Sequence, residues 1–124
     1  MMRSRMNVIE ASIKDPIGTQ ERVLFENIKK AKTTIYGKEF HFDEIKKIHK
    51  FQKRVPAVFY EDFQHYIELA RKGEKDVTWH GKIKWFAKSS GTTNAKSKFI
   101  PISKESLEDC HYAAGKTMFA LYLN

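Results

Sequence analysis

Apolar residues recur at helical spacing through most of this chain and give way to short strand-like runs in one region only. Val8, Ile9 and Ile13 form a weak helical pattern without a firm cap. At Asp15-Pro16 a stronger helix opens, with Asp at the cap and Pro in the first turn, and Leu24, Ile28 and Ala31 recur on one face. It is expected to end before Gly37. Asp43 can cap a helix carrying Ile45, Ile48, His49 and Phe51 or Gln52, which must stop before Pro56 because the residue preceding proline resists helical geometry. A further helix is predicted over Tyr60 to Lys72, with Phe63, Tyr66, Ile67 and Ala70 on one stripe and Gly73 as its stop. Glu61 and Asp62 stand in its first turn, where negative charge complements the helix dipole.

Strand candidates follow at Val77 to Trp79, Ile83 to Ala87 and Phe99 to Ile102. Ser103 can cap a last helix in which Leu107, Cys110, Ala114, Met118 and Leu121 fall at intervals of three and four. The expected organisation is therefore helical over 1–75, a hairpin over 76–102 and a helix over 103–123. Met118 to Leu123 is apolar around the whole helix circumference, a pattern that belongs to helices buried on all sides. Two or three short strands also make a marginal sheet. Both features lead us to expect a chain that continues beyond Asn124.

Between the last two strand candidates lies Lys88-Ser-Ser-Gly-Thr-Thr-Asn-Ala-Lys-Ser-Lys98. Gly91 allows backbone N–H groups to approach an anion, Ser89, Ser90, Thr92 and Thr93 add short donors, and Lys96 or Lys98 can bring positive charge. That is the chemistry of a polyphosphate cradle. A Walker loop is excluded, because no second glycine followed by Lys-Ser or Lys-Thr comes after Gly91. The same residue types also populate ordinary surface turns, so composition alone leaves a polar hairpin as the alternative.

With 124 residues, 41% of them hydrophobic, the chain can build the core of one domain. Its single cysteine, Cys110, cannot form an intramolecular disulfide and, with no leader pattern after Met1, points to the cytoplasm. On the apolar stripe of the last helix, it is expected to behave as a small core residue. No apolar stretch reaches membrane-spanning length. His41, His49, His65, His80 and His111 fall at no metal-ligand spacing, so no metal site is assigned, and Trp79 and Trp85 are expected to pack a core. The formal charge of +8 makes a small basic nucleic-acid-binding module the rival function. Lys29, Lys30, Lys32 and Lys46, Lys47, Lys50, Lys53, Arg54 sit in helical segments without a recognition motif, and a solvated face is the simpler reading.

The longer run Val55-Pro56…Tyr60-Glu61-Asp62, Tyr66-Ile67, Gly73-Glu74, Ser89 to Thr93, Lys98 and Pro101 resembles the Gretchen Hagen auxin-responsive family of acyl acid-amido synthetases, in its bacterial branch. The resemblance covers the second half of the chain with several separated elements in order. One departure is Asn94, where the family has glycine. Asn tolerates a left-handed backbone better than other side-chain-bearing residues.

The resemblance implies an α/β fold: the amino-terminal part of the large domain of an adenylate-forming enzyme, helix-rich with a few short strands and incomplete. It implies ATP and Mg as cofactors. A carboxylate would attack the α-phosphate of ATP to give an acyl-adenylate and pyrophosphate, and an amine or amino acid would then capture the acyl group. Ser89, Ser90, Gly91, Thr92 and Thr93 would hold the phosphates, with Lys98 as the motif lysine and Lys96 as a secondary helper. No catalytic residue is assigned. The acid and amine pockets, the acidic residue that helps hold magnesium and a mobile carboxyl-terminal domain would lie in the missing portion of the same enzyme. This chain alone is accordingly expected not to complete adenylation, and exchange of labelled pyrophosphate by it would refute that expectation.

Overall fold

Asp15 Oδ1 accepts the Gly18 N–H at 2.9 Å, so the Asp-Pro pair opens a helix as its chemistry demands. The structure is a computed structural model and describes residues 2–89 and 97–123, so Ser90, Gly91, Thr92, Thr93, Asn94 and Lys96 lie outside the described residues. The elements in order are α1 (Met2–Lys14), α2 (Pro16–Ala31), α3 (Ile35–Glu39), a 3-10 turn (Phe42–Glu44), α4 (Ile48–Arg54), α5 (Tyr60–Arg71), β1 (Trp85–Lys88) and β2 (Phe99–Ile102). A π-helical segment (Ser106–Tyr112) and α6 (Ala113–Tyr122) follow. Among the described residues, a helix-rich arrangement with one small two-stranded sheet agrees with the expected α/β class. The chain divides into two compact units, Phe25–Ser103 and Met1–Leu24 with Lys104–Asn124.

In the unit Phe25–Ser103 the core is aromatic. Tyr36 meets Phe63 and Tyr66 edge-on, at centroid distances of 5.5 and 5.1 Å, with Ala70 and Val77 buried beside them and Phe86 of β1 packed against the cluster. Tyr66, Ile67 and Ala70 are buried, as the helical stripe of α5 predicts. Gly73 ends that helix at φ +94°, a left-handed geometry that costs glycine little.

The helix predicted to run towards Gly37 instead breaks at Ala31. Thr34, fully buried, donates its hydroxyl to Ala31 O at 2.7 Å and accepts the Gly37 N–H at 2.9 Å, capping a new helix. Gly37 lies inside α3, where a Cβ would stand 2.0 Å from the Ala31 carbonyl oxygen. Residues Val77 to Trp79 form no strand. Their neighbourhood is used otherwise: the Ile35 and Tyr36 N–H groups at the start of α3 donate to the Asp76 and Val77 carbonyls at 2.7 and 2.9 Å. Asp43 does not cap α4 either; it sits in the 3-10 turn, and Lys47 takes the cap position.

In the unit formed by Met1–Leu24 and Lys104–Asn124, α1 packs along α6. Arg5 Nε donates to Thr117 Oγ1 at 2.8 Å, and Ala120 is buried. Of the predicted stripe of Leu107, Cys110, Ala114, Met118 and Leu121, Leu107 is half-buried and the other four are exposed. The π segment widens the turn, so positions spaced for an α-helix drift off one face. Cys110 is exposed rather than in the core, and Met118, Phe119, Leu121, Tyr122 and Leu123 are exposed as well.

Candidate functional site

Strands β1 and β2 pair antiparallel, Trp85 opposite Ile102 through Lys88 opposite Phe99. One step further, the Ser89 N–H donates to the Lys98 carbonyl at 2.9 Å, and Ser89 Oγ accepts the Lys98 N–H at 3.0 Å. Two of the six predicted phosphate-binding residues therefore meet face to face and form the neck of the hairpin. A serine suits this position because its short hydroxyl can supply an acceptor to the opposite strand. The other four, Ser90, Gly91, Thr92 and Thr93, lie outside the described residues.

The first turn of α5 grips this neck. The Tyr60 hydroxyl accepts the Phe99 N–H at 2.8 Å and donates to the Phe99 carbonyl at 3.2 Å. One phenol thus satisfies both the N–H and the C=O that Phe99 turns away from β1, groups an edge strand otherwise leaves bare. From the far end of the same helix, the Arg71 guanidinium lies 4.0 Å from the Phe99 ring centroid.

The side chain of Lys98 is held by the same turn. Its ammonium stands 3.1 Å from Glu61 Oε1 and 4.9 Å from the Tyr60 ring centroid. A backbone hydrogen bond at Glu61 itself, and then the Lys98 ammonium, hold the Glu61 carboxyl below the ordinary carboxylate range. With 44% of the Lys98 side chain exposed, solvent still reaches the pair. Glu61 and Asp62, alike as residues of a helix N-terminus, have separate partners. Asp62 Oδ2 accepts the Phe59 N–H at 3.1 Å and caps α5, whereas Glu61 faces the hairpin. The available sequence signal for the second partnership was the pairing of Tyr60-Glu61 with Lys98 in one family motif, which carries no geometry.

Other charged groups are organised differently. His49, Lys50, Lys53 and Arg54 line a recess of about 460 Å³. Arg54 there is already engaged, donating to Glu44 Oε2 at 2.6 Å and to the His41 carbonyl at 2.8 Å. Its guanidinium draws the Glu44 carboxyl below its usual range. Among the described residues no three His, Cys, Asp or Glu side chains converge on a point where a metal ion could sit, and no helix is long and apolar enough to cross a membrane. Trp85, expected in a core, is half exposed on β1.

Comparison with known proteins matches residues 5–123 to the GH3 family N-terminal domain. The chain is similar to the Arabidopsis thaliana indole-3-acetic acid-amido synthetase GH3.2, with 31% identity over 104 residues, 83% of this chain and 19% of the relative. It is 34% identical over 91 residues to the 4-substituted benzoates-glutamate ligase GH3.12 of the same plant, covering 73% of this chain and 16% of the relative. Similarity to the probable indole-3-acetic acid-amido synthetase GH3.13 of Oryza sativa subsp. japonica is 30% over 112 residues, 83% of this chain and 24% of the relative. The chain thus spans between about a sixth and a quarter of the length of these relatives. With the family match running through nearly all of its residues, the chain belongs to the GH3 family.

Proposed function

We propose that this chain provides the ATP-phosphate loop and its supporting helices in an acyl-adenylate-forming amide synthetase, which joins a carboxylic acid to an amine or amino acid. In this reading it is the amino-terminal portion of one adenylating domain, with helices over 1–75, the phosphate-loop hairpin over 76–102 and a helix over 103–123. The enzyme works in the cytoplasm, and the protein is of the bacterial branch of its family. The observation that carries the reading is the neck at Ser89 and Lys98, where the backbones of a hydroxyl-bearing and an ammonium-bearing residue pair on either side of the stretch 90–97.

The described residues fit a phosphate ligand. Accepting the Lys98 N–H leaves the Ser89 hydroxyl with its own hydrogen to donate, and the Lys98 ammonium is exposed enough to meet an anion. Ser90, Gly91, Thr92 and Thr93 would complete the set with backbone and hydroxyl donors. ATP would supply the α-phosphate that the carboxylate attacks, with pyrophosphate as the leaving group, and magnesium would arrive with the nucleotide. On this chain Lys98 would neutralise phosphate charge, Ser89 would orient an oxygen, and Tyr60 would keep β2, and with it Lys98, in place.

Binding of ATP to the chain, followed by calorimetry and by Trp85 fluorescence, tests the proposal. Gly91→Val and Lys98→Met are expected to abolish or strongly weaken binding, while charge removal at Lys46, Lys47 and Lys50 leaves it unchanged. The converse, with ATP ignored and a steeply salt-dependent affinity for RNA or DNA that falls with those three lysines, would establish the basic binding module instead.

A further inference from the structure

A lysine that serves a phosphate and also holds a carboxylate has two competing partners. Glu61 lies in the first turn of α5, one residue from the tyrosine that fixes β2, so the helix that positions Lys98 also supplies its carboxylate. The backbone of Lys98 is secured on both sides, by Ser89 across the hairpin and, at the next residue, by Tyr60. Only the long side chain is left free to change partners. It lies over the Tyr60 ring, which favours a cation whichever anion it faces.

We infer that Glu61 is a positioning residue for Lys98, a built-in stand-in for phosphate that keeps the ammonium at the hairpin neck and releases it when a polyphosphate arrives. The inference rests on the proposed phosphate role of Lys98. Its physical basis is the geometry of a half-exposed ion pair. The contact at 3.1 Å is short enough to hold the side chain near one place. With both partners in contact with water, it is weak enough to be displaced by a ligand carrying several negative charges. Like any solvent-exposed glutamate, Glu61 is ionised, and therefore competing, through the neutral range.

Competition and linkage make this measurable. Inorganic tripolyphosphate is titrated into the isotopically labelled chain, and the Lys98 Nζ and Glu61 carboxyl resonances are followed. The two are expected to move together and saturate at the same concentration, because the ammonium leaves one partner for the other. Glu61→Gln removes the competitor while keeping size and shape. Tripolyphosphate affinity is expected to rise about two- to fivefold, the range that an exposed ion pair can contribute. In Lys98→Met both the binding and the effect of Glu61→Gln are expected to vanish.

Tripolyphosphate binding through Lys98 with equal affinity in wild type and Glu61→Gln, and a motionless Glu61 resonance, would overturn the positioning role while leaving the phosphate loop standing. Binding unchanged by Lys98→Met, or none in any variant, would remove the phosphate role of Lys98 and the inference with it.

Discussion

Tyr60 shows how much a single hydroxyl can organise. It satisfies both outward-facing backbone groups of Phe99, so Tyr60→Phe leaves an N–H and a C=O at the hairpin neck to find water. Tyr60→Phe is expected to lower unfolding free energy by about 1 kcal/mol in denaturant titration. Amide exchange at Phe99 should accelerate more than exchange in the helices. Tyr66 makes a different use of its phenol, donating to Glu39 Oε2 at 2.5 Å within the aromatic core. Burial, and then the Glu39 carboxylate, push its pKa well above that of a free tyrosine. A raised pKa on an acid means that the fold favours the protonated form. Its stabilising effect is fully present below about pH 10, the ordinary tyrosine range, and declines as the pH rises beyond it. Thermal denaturation from pH 8 to 11.5 is expected to show that decline, and Tyr66→Phe should make it shallower; Tyr36, raised first by burial and then by Glu39, accounts for part of the remainder.

Among the elements, α3 has the most demanding fit. It is only five residues long, and its stability comes from contacts at its start: the Thr34 cap, and two N–H groups docked on the Asp76 and Val77 carbonyls. Thr34→Ala removes a buried hydroxyl that both donates and accepts, and a loss of about 2 kcal/mol is expected by denaturant titration. Gly37→Ala should be worse than an average helix substitution, because its methyl would run into the Ala31 backbone rather than into a flexible side chain. A loss of about 3 kcal/mol, or failure to fold, is the expected outcome. The hairpin needs support in the same way. Two four-residue strands are marginal in water, and α5 compensates through Tyr60, Glu61 and Arg71.

At the scale of the whole molecule, the exposed apolar surface of α6 stands out. Met118, Phe119, Leu121, Tyr122 and Leu123 are each more than half exposed, a density that soluble surfaces rarely carry without a partner. The 124-residue chain is expected to bind a hydrophobic dye and to associate with rising concentration in sedimentation experiments. Leu121→Glu should reduce both without lowering the melting temperature of the unit Phe25–Ser103.

Local chemistry alone was enough to place several elements. The Asp15-Pro16 start, the apolar stripe and glycine stop of α5, and β2 from Phe99 to Ile102 depend on caps, periodicity and side-chain size, all of which act over a few residues. The family resemblance was legible for the same reason, since its motifs are short words in order. Contacts between segments distant along the chain decided the rest. The break at Ala31 depends on Asp76 and Val77 lying across the start of α3, and the missing strand at Val77 is the other side of that contact. The π segment turned Cys110 and Leu121 away from the face that regular spacing assigns them. The pairing of Glu61 with Lys98 joins residues 37 positions apart. Residue order declares which groups are able to bond, but a carboxylate and an ammonium become partners only when helix and hairpin are packed side by side.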